Sequence, residues 1–231
     1  MKNFLIIIPT YNENNNIFNI LNKINKCLKF KKDILFIDDN SYDGTFEKIK
    51  KITKKNIFLI KREKKLGIGS AHKLGIKFGF KKKYKQILTM DCDGTHHPKY
   101  VRSMIAASKK NDLVITSRFY KKNALSDWPF QRKIITYTRY ILIKMLFGIS
   151  LDTSGAFRLY NVKSINLNDI LLAKDNGYSF FWESIVILLK KKYRISEIPI
   201  ILPTRSTGFS KMRIKDLFYA LFYLFKIYFR K

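Results

Sequence analysis

The sequence predicts an α/β protein built on a mostly parallel sheet with helices on both faces, and three observations carry that expectation. Short apolar runs alternate with amphipathic helical stretches from the first residues onward. Several of those runs end on polar or acidic residues, as strands do at the ligand-binding rim of an open α/β sheet. With 231 residues, 46% of them hydrophobic and 15% aromatic, the chain holds enough apolar material for one large core, with or without an appendage.

The elements follow in order. Residues 4–8 read as a short apolar strand stopped by Pro9. Over residues 14–30, Ile17, Ile20, Leu21, Ile24, Cys27 and Leu28 make a helical stripe with a polar opposite face. Residues 34–37 form the next strand, which ends in Asp38 and Asp39. A helix begins at Thr45, a strand covers 57–60, and a helix covers 70–80. The apolar entry 86–89 leads to Asp91. A helix spans 99–109 and a strand spans 113–116. After Arg118 the pattern changes. Trp128 and Pro129 open a long helix over 130–147, with Arg132 and Arg139 among apolar residues. Residues 154–160 read as a strand, 180–191 as a helix, and 195–201 as a strand interrupted by Pro199. The final segment, from Ile214, is helical and strongly aromatic.

Composition narrows the function classes. A net charge of +29 suits a polyanionic partner such as nucleic acid, an anionic membrane face or a phosphorylated substrate. Most of the excess is Lys scattered over helix faces and turns, and no RNA-binding aromatic signature, zinc pattern or recognition helix accompanies it. A nucleic-acid-binding α/β protein therefore stays an alternative reading, and no nucleic-acid partner is expected. Cys27 and Cys92 sit in apolar contexts and suit a reducing cytosol better than a disulfide framework. The N-terminal apolar run is too short for a signal peptide, and no run reaches the roughly 20 apolar residues of a membrane span. The aromatic residues 217–225 do not keep to one stripe, and Lys215, Lys226, Arg230 and Lys231 flank them. That pattern predicts an interfacial helix on an anionic membrane, with an ordinary core helix as the other reading.

The chemistry concentrates at the strand ends. Asp91 and Asp93 are two carboxylates one residue apart, well placed to hold a hard divalent cation that shares its oxygen ligands with a substrate diphosphate. Pro9 to Glu13, Asp38 to Thr45, and Ser117 with Arg118 would join them on the same rim. Acids gathered there are costly unless a cation or hydrogen-bond donors compensate. Gly67 and Gly69 lie in a loop entering a helix N-terminus, where backbone N–H groups approach a ligand. His96 and His97 as ligands would make a metal-dependent hydrolase; the favoured reading has them capping the next helix or shaping the loop, with His96 inward. Cys92, flanked by carboxylates, reads as a small buried residue rather than a nucleophile. Glu183 is open between a site acid and a structural one.

Taken together, Pro9-Thr10-Tyr11-Asn12-Glu13, Ile37-Asp38-Asp39-Asn40-Ser41 with Asp43-Gly44-Thr45, Gly67-Ile68-Gly69, Asp91-Cys92-Asp93 with His96-His97-Pro98, and Ser117-Arg118 resemble the family-2 glycosyltransferases of GT-A fold. Within that family the polyprenol-phosphate (dolichol-phosphate) mannosyltransferases are the most similar. Thr153-Ser154-Gly155 with Phe157-Arg158-Leu159-Tyr160, Gly177-Tyr178 with Glu183, Glu197-Ile198-Pro199-Ile200, and then Arg205, Gly208, Ser210 and Lys211 extend the resemblance over nearly the whole chain. It implies a GT-A catalytic domain over residues 1–212 and a membrane-associating helix over 213–231.

The resemblance also implies roles. Pro9, Tyr11, Glu13, Ile37 and Asp39 would hold the nucleoside. Asp91, Cys92 (through its backbone) and Asp93 would sit at a Mg²⁺ or Mn²⁺ diphosphate site, with Thr95 a further oxygen ligand. Arg118, Arg132, Thr136, Arg205 and Lys211 would meet donor diphosphate or acceptor phosphate, with Asp91, Asp93, Arg132 and Arg205 catalytic. One departure is Phe181, which stands where the family pattern carries Gln. The implied activity is inverting transfer of a hexose, mannose from GDP-mannose being favoured, to a polyprenyl phosphate. A UDP-sugar such as UDP-glucose is the alternative donor. The expected setting is peripheral, at the cytoplasmic face of an anionic membrane, with a small membrane subunit as a possible partner.

Overall fold

The apolar runs become strands of one seven-stranded sheet in a computed structural model that describes residues 3–203 and 214–229. The strands are β1 (Phe4–Thr10), β2 (Asp33–Asp38), β3 (Ile57–Lys61), β4 (Gln86–Thr89), β5 (Leu113–Ser117), β6 (Arg158–Asn161) and β7 (Ile195–Pro199). Their order across the sheet is β3-β2-β1-β4-β6-β5-β7. All neighbours are parallel except β6, which runs antiparallel between β4 and β5. The helices are α1 (Ile17–Cys27), α2 (Thr45–Ile52), α3 (Ile68–Lys81), α4 (Val101–Ser108), α5 (Phe130–Phe147), α6 (Leu167–Leu171), α7 (Ser179–Lys190) and α8 (Ile214–Tyr228).

The continuous apolar run of β1 follows from its central place. All seven of its residues are buried, because both of its faces are covered. Ile6 and Ile8 point into one core with Ile17, Ile20 and Ile24 of α1 and Met104 of α4. Leu5 and Ile7 point into the other with Ile76 of α3 and Phe180 and Ile185 of α7. A third, smaller cluster joins Ile143 of α5, Trp182 of α7, and Tyr223 and Leu224 of α8.

Several boundaries differ from the sequence expectation, each for a physical reason. Pro9 does not stop β1, which continues to Thr10. The β4 ladder has already ended at the Ile7–Thr89 pair, and the Thr10 carbonyl faces β2, where it accepts from Asp39 N–H. The missing N–H of Pro9 therefore faces a side with no ladder left to complete. The expected first helix begins with a short 3-10 turn, so α1 proper starts at Ile17. The strand expected over 154–160 is only β6, because residues before Arg158 form a loop into the rim. The short helix α6 had no counterpart in the sequence reading. The long helix α5 ends as expected, with Gly148 in the left-handed conformation (φ +70°) that closes helix C-termini.

Candidate active site

A cleft of about 700 Å³ opens over the carboxyl ends of β1, β2, β4 and β5. One end of it is acidic. The loops after β1 and β2 are stitched together: Asn12 N–H donates to Ser41 Oγ (2.9 Å), and Glu13 N–H donates to Thr45 Oγ1 (2.8 Å). The two acids that end β2 then part company. Asp38 is fully buried and structural, accepting from Thr10 Oγ1 (3.0 Å), Ser41 N–H (2.9 Å) and Ser41 Oγ (2.6 Å). Asp39 lines the cleft and takes the Arg62 guanidinium on Oδ1. Burial pushes the Asp39 carboxyl above its usual range, against the opposing pull of Arg62. Tyr11 completes this end, with Lys65 Nζ 4.4 Å above its ring.

The β4 acids are held by their own loop. Asp91 N–H donates to His96 Nδ1 (2.9 Å), and the His96 ring stacks on Phe157 at 5.1 Å. An Nδ1 that accepts a hydrogen bond carries no proton, so its 3.6 Å approach to Asp91 Oδ2 is a contact and not an ion pair. Asp93 Oδ1 accepts from both N–H (3.1 Å) and Oγ1 (2.6 Å) of Thr95. Asp93 is buried although it stands at the rim of the sheet. Burial raises the Cys92 thiol well above its usual pKa, with help from Glu13, Asp93 and Asp91, so it is no thiolate nucleophile or ligand. His97 caps the turn before α4 by accepting from Lys99 N–H, and His96 faces inward, as expected.

The opposite end is cationic. Arg118, just past β5, makes a two-pronged contact with buried Asp152: Nε to Oδ2 at 2.7 Å and Nη2 to Oδ1 at 2.6 Å. Burial alone would raise the Asp152 carboxyl, but the charge and hydrogen bonds of Arg118 outweigh it and hold the group below its usual range. Ser154 Oγ accepts from Arg118 and from Arg139 Nη2 (2.7 Å). Burial, with Arg118 nearby, lowers Arg139 to about 10. Arg132, Thr136 and Arg139 recur at helical spacing along the cleft side of α5. Trp128 supports this end: its Nε1–H donates to Leu202 O (3.0 Å), and the Arg132 guanidinium lies 3.5 Å over its ring. Beneath, Arg158 is fully buried and reaches Gly155 O, Thr153 O, Phe181 O and Ser184 Oγ, fixing the loop that carries Ser154.

Pro9, Tyr11, Glu13, Asp39, Asp91, Cys92, Asp93, Thr95, Arg118, Arg132 and Thr136 all line this one cleft. Ile37 does not. Its side chain is 0% exposed in the core, so a ligand would meet only its backbone. Arg205, Gly208, Ser210 and Lys211 lie outside the described residues. Phe181 does stand in the cleft wall, its ring edge-on to His72 at 5.0 Å. Glu183 is structural: Oε2 accepts from Asp175 N–H (3.0 Å) and Oε1 from the Tyr223 hydroxyl (2.9 Å). The helix α8 packs into the fold along one side and leaves apolar side chains exposed along the other. Tyr223 and Leu224 are buried, while Phe218, Phe222 and, just past the helix, Phe229 face outward, and Asp216 and Leu217 reach the cleft wall.

The sequence reading missed Arg62, Asp152 and the cleft role of Arg139. For Arg139 a signal existed, since it stands seven residues after Arg132 on the same predicted helix. Asp152 sat one residue before the Thr153-Ser154-Gly155 motif. Arg62 carried no local signal.

Could the acidic end hold a metal? Asp91, Asp93 and the Thr95 hydroxyl offer only hard oxygen donors, which fits Mg²⁺ or Mn²⁺. Among the described residues no three His, Cys, Asp or Glu side chains converge, so the remaining ligands of such an ion would be water and substrate oxygens.

Fold and site define an α/β protein of GT-A type, with paired acids and a cation set facing one cleft. The chain belongs to glycosyl transferase family 2, whose sequence profile matches residues 5–167. It is 29% identical over 211 residues to an undecaprenyl-phosphate mannosyltransferase of Micrococcus luteus, covering 90% of this chain and 86% of that one. It is 31% identical to a dolichol-phosphate mannosyltransferase of Pyrococcus furiosus, over 96% of this chain and 62% of that one. In fold it is similar to glucosyl-3-phosphoglycerate synthase of Mycobacterium tuberculosis, solved with Mn²⁺, UDP-glucose and phosphoglyceric acid. That match has a TM-score of 0.70 at 13% identity, covering 98% of this chain and 80% of that one.

Proposed function

We propose that this protein transfers mannose, with inversion, from GDP-mannose to a polyprenyl phosphate. The observation that carries the reading is the two-ended cleft: a carboxylate pair suited to a metal-bound diphosphate at one end, and three arginines suited to phosphate at the other. The relatives from Micrococcus luteus and Pyrococcus furiosus, named for polyprenyl-phosphate and dolichol-phosphate mannosyl transfer, support the sugar and the acceptor class.

Asp91 and Asp93, with Thr95, would hold the divalent ion, which when bound supplies positive charge against the leaving diphosphate. Pro9, Tyr11 and Asp39 would hold the nucleoside. Arg118, Arg132 and Arg139 would draw the acceptor phosphate toward the anomeric carbon, where its oxygen forms the new bond as the bond to the donor diphosphate breaks. A phosphate acceptor is already an anion near neutral pH. The site therefore needs positioning and charge stabilisation more than a general base.

The outward face supports residence at a membrane. Phe130, Ile134, Ile141 and Met145 of α5, Phe218 and Phe222 of α8, and Phe229 just past it are exposed apolar side chains in a strongly basic chain. Among the described residues no helix is long and apolar enough to cross a membrane. The reading is therefore peripheral attachment to an anionic cytoplasmic face, alone or beside a small membrane subunit.

The test is transfer of labelled mannose from GDP-mannose to a polyprenyl phosphate in anionic vesicles with Mg²⁺ or Mn²⁺, beside a thermal-shift panel of GDP- and UDP-sugars. Lipid-linked mannose made in a metal-dependent way is expected. No product from GDP-mannose, with product from a UDP-sugar, would overturn the donor assignment.

A further inference from the structure

Arg62 lies just past β3, is buried, and reaches three separate acceptors with its guanidinium. Nε meets Asp39 Oδ1, Nη1 meets Ser70 Oγ at 2.5 Å, and Nη2 meets Gly67 O at 3.2 Å. Its backbone N–H donates to Asp38 O at 2.8 Å, so the residue is fixed at both ends. Gly67 is itself pinned. Its φ is +95°, and a Cβ there would stand 2.3 Å from Asn176 O, so any other residue would be strained and would force the loop to shift. Lys65, Gly67 and Ile68 line the same end of the cleft as Asp39. Both guanidinium contacts with Asp39 fall on Oδ1. That leaves Oδ2 as an acceptor at the cleft.

We propose that Arg62 is a positioning residue for nucleoside recognition, holding Asp39 as an oriented, charged acceptor and tying it to the glycine-bearing loop on the other side of the ligand. The inference rests on the nucleotide-sugar reading above. An acceptor carboxylate selects ligand N–H or O–H donors, which a nucleobase edge or a ribose supplies. The groups that face Asp39 are Asp38 on β2, Arg62 beyond β3, and Lys65 in the loop. Burial and Asp38 push its carboxyl up, while Arg62 and Lys65 pull it down. Without Arg62 only Lys65 opposes the upward push, so the carboxyl moves higher. A carboxyl accepts through both oxygens only when deprotonated. Binding that depends on it is present above its pKa and lost as pH falls through it.

The experiment titrates GDP and UDP into wild type, R62M, R62K, D39N and R62M/D39N by calorimetry from the lowest pH at which circular dichroism shows every variant folded up to about pH 8.5, a range that spans the ordinary carboxylate pKa and values above it. The expected result is weaker nucleotide binding in R62M, with the gap from wild type widening by up to about tenfold per pH unit below the raised Asp39 pKa. R62K should narrow the gap, and R62M should add nothing to D39N, because both act through one carboxylate. An R62M defect of the same size at every pH, or one that adds in full to D39N, would overturn the inference. So would a D39N protein that binds as wild type does. A wild type that binds neither nucleotide overturns the proposed function itself, and that outcome is read before any variant is compared.

Discussion

The two ends of the cleft are built in different ways. For the two acids that follow β4, charge is held by neighbours close in sequence: Thr95 orients Asp93 from two residues away, and His96 holds Asp91 from five. At the cationic end the partners come from far along the chain. Arg118 depends on Asp152, 34 residues later, Asp152 N–H on Glu197, and Trp128 on Leu202. A locally built site can lose one ligand group and keep its shape. A site built on a buried ion pair cannot, because removing one partner leaves the other charged and unsolvated. Function and stability should therefore separate at Asp91 and Asp93 and fall together at the cationic end.

The largest effect that would sharpen this contrast is at Asp152. Asp152→Ala should destabilise the fold by about 3–5 kcal/mol, the cost of stranding the buried Arg118 guanidinium. Urea unfolding measures it, and a loss below about 1 kcal/mol would show that the cationic end is no more interdependent than the other. Next comes Asp93→Asn. The Asn carbonyl can still accept from Thr95, so the urea midpoint should hold while turnover falls about 10²–10³-fold, as for losing one electrostatic group at the developing charge. Full turnover in this variant, or in excess chelator, would break the metal assignment.

A third prediction uses pH. Arg118 keeps the folded Asp152 carboxyl below the roughly 3.9 of an unfolded Asp. Its contribution to stability is therefore complete above about pH 4 and lost as pH falls toward the lower folded value. Asp152→Asn should remove that part of the acid slope, so its urea midpoints between pH 5 and 2.5 should change less than those of wild type. The smallest expected effect lies outside the cleft. Phe218→Asp with Phe222→Asp should weaken binding to anionic vesicles about tenfold, since rings lying at an interface are only partly withdrawn from water and give a fraction of the roughly 1.5–3 kcal/mol of a fully buried Phe. Nucleotide affinity should stay unchanged. Unaltered vesicle binding would remove the membrane reading of the exposed face. Truncating α8 is a poorer test, because Tyr223 and Leu224 are part of the fold.

By itself the sequence determined the alternation of strands and helices, the rim where strands end in acids, and eleven side chains that do line one cleft. Those features are local: a run of Ile and Leu becomes a strand wherever it is covered, and Asp-Cys-Asp carries its chemistry with it. Only the tertiary structure decided that β6 runs antiparallel between β4 and β5, because periodicity reports that residues are buried but not against what. It made Ile37 a core residue rather than a contact, and Glu183 a strut for α8 rather than a site acid. It also brought Arg62 to Asp39 and Arg118 to Asp152. No spacing encodes those pairings. They exist because sheet order brings distant strand ends together in a place where water is excluded, and a charge there must find a partner or stay unmade.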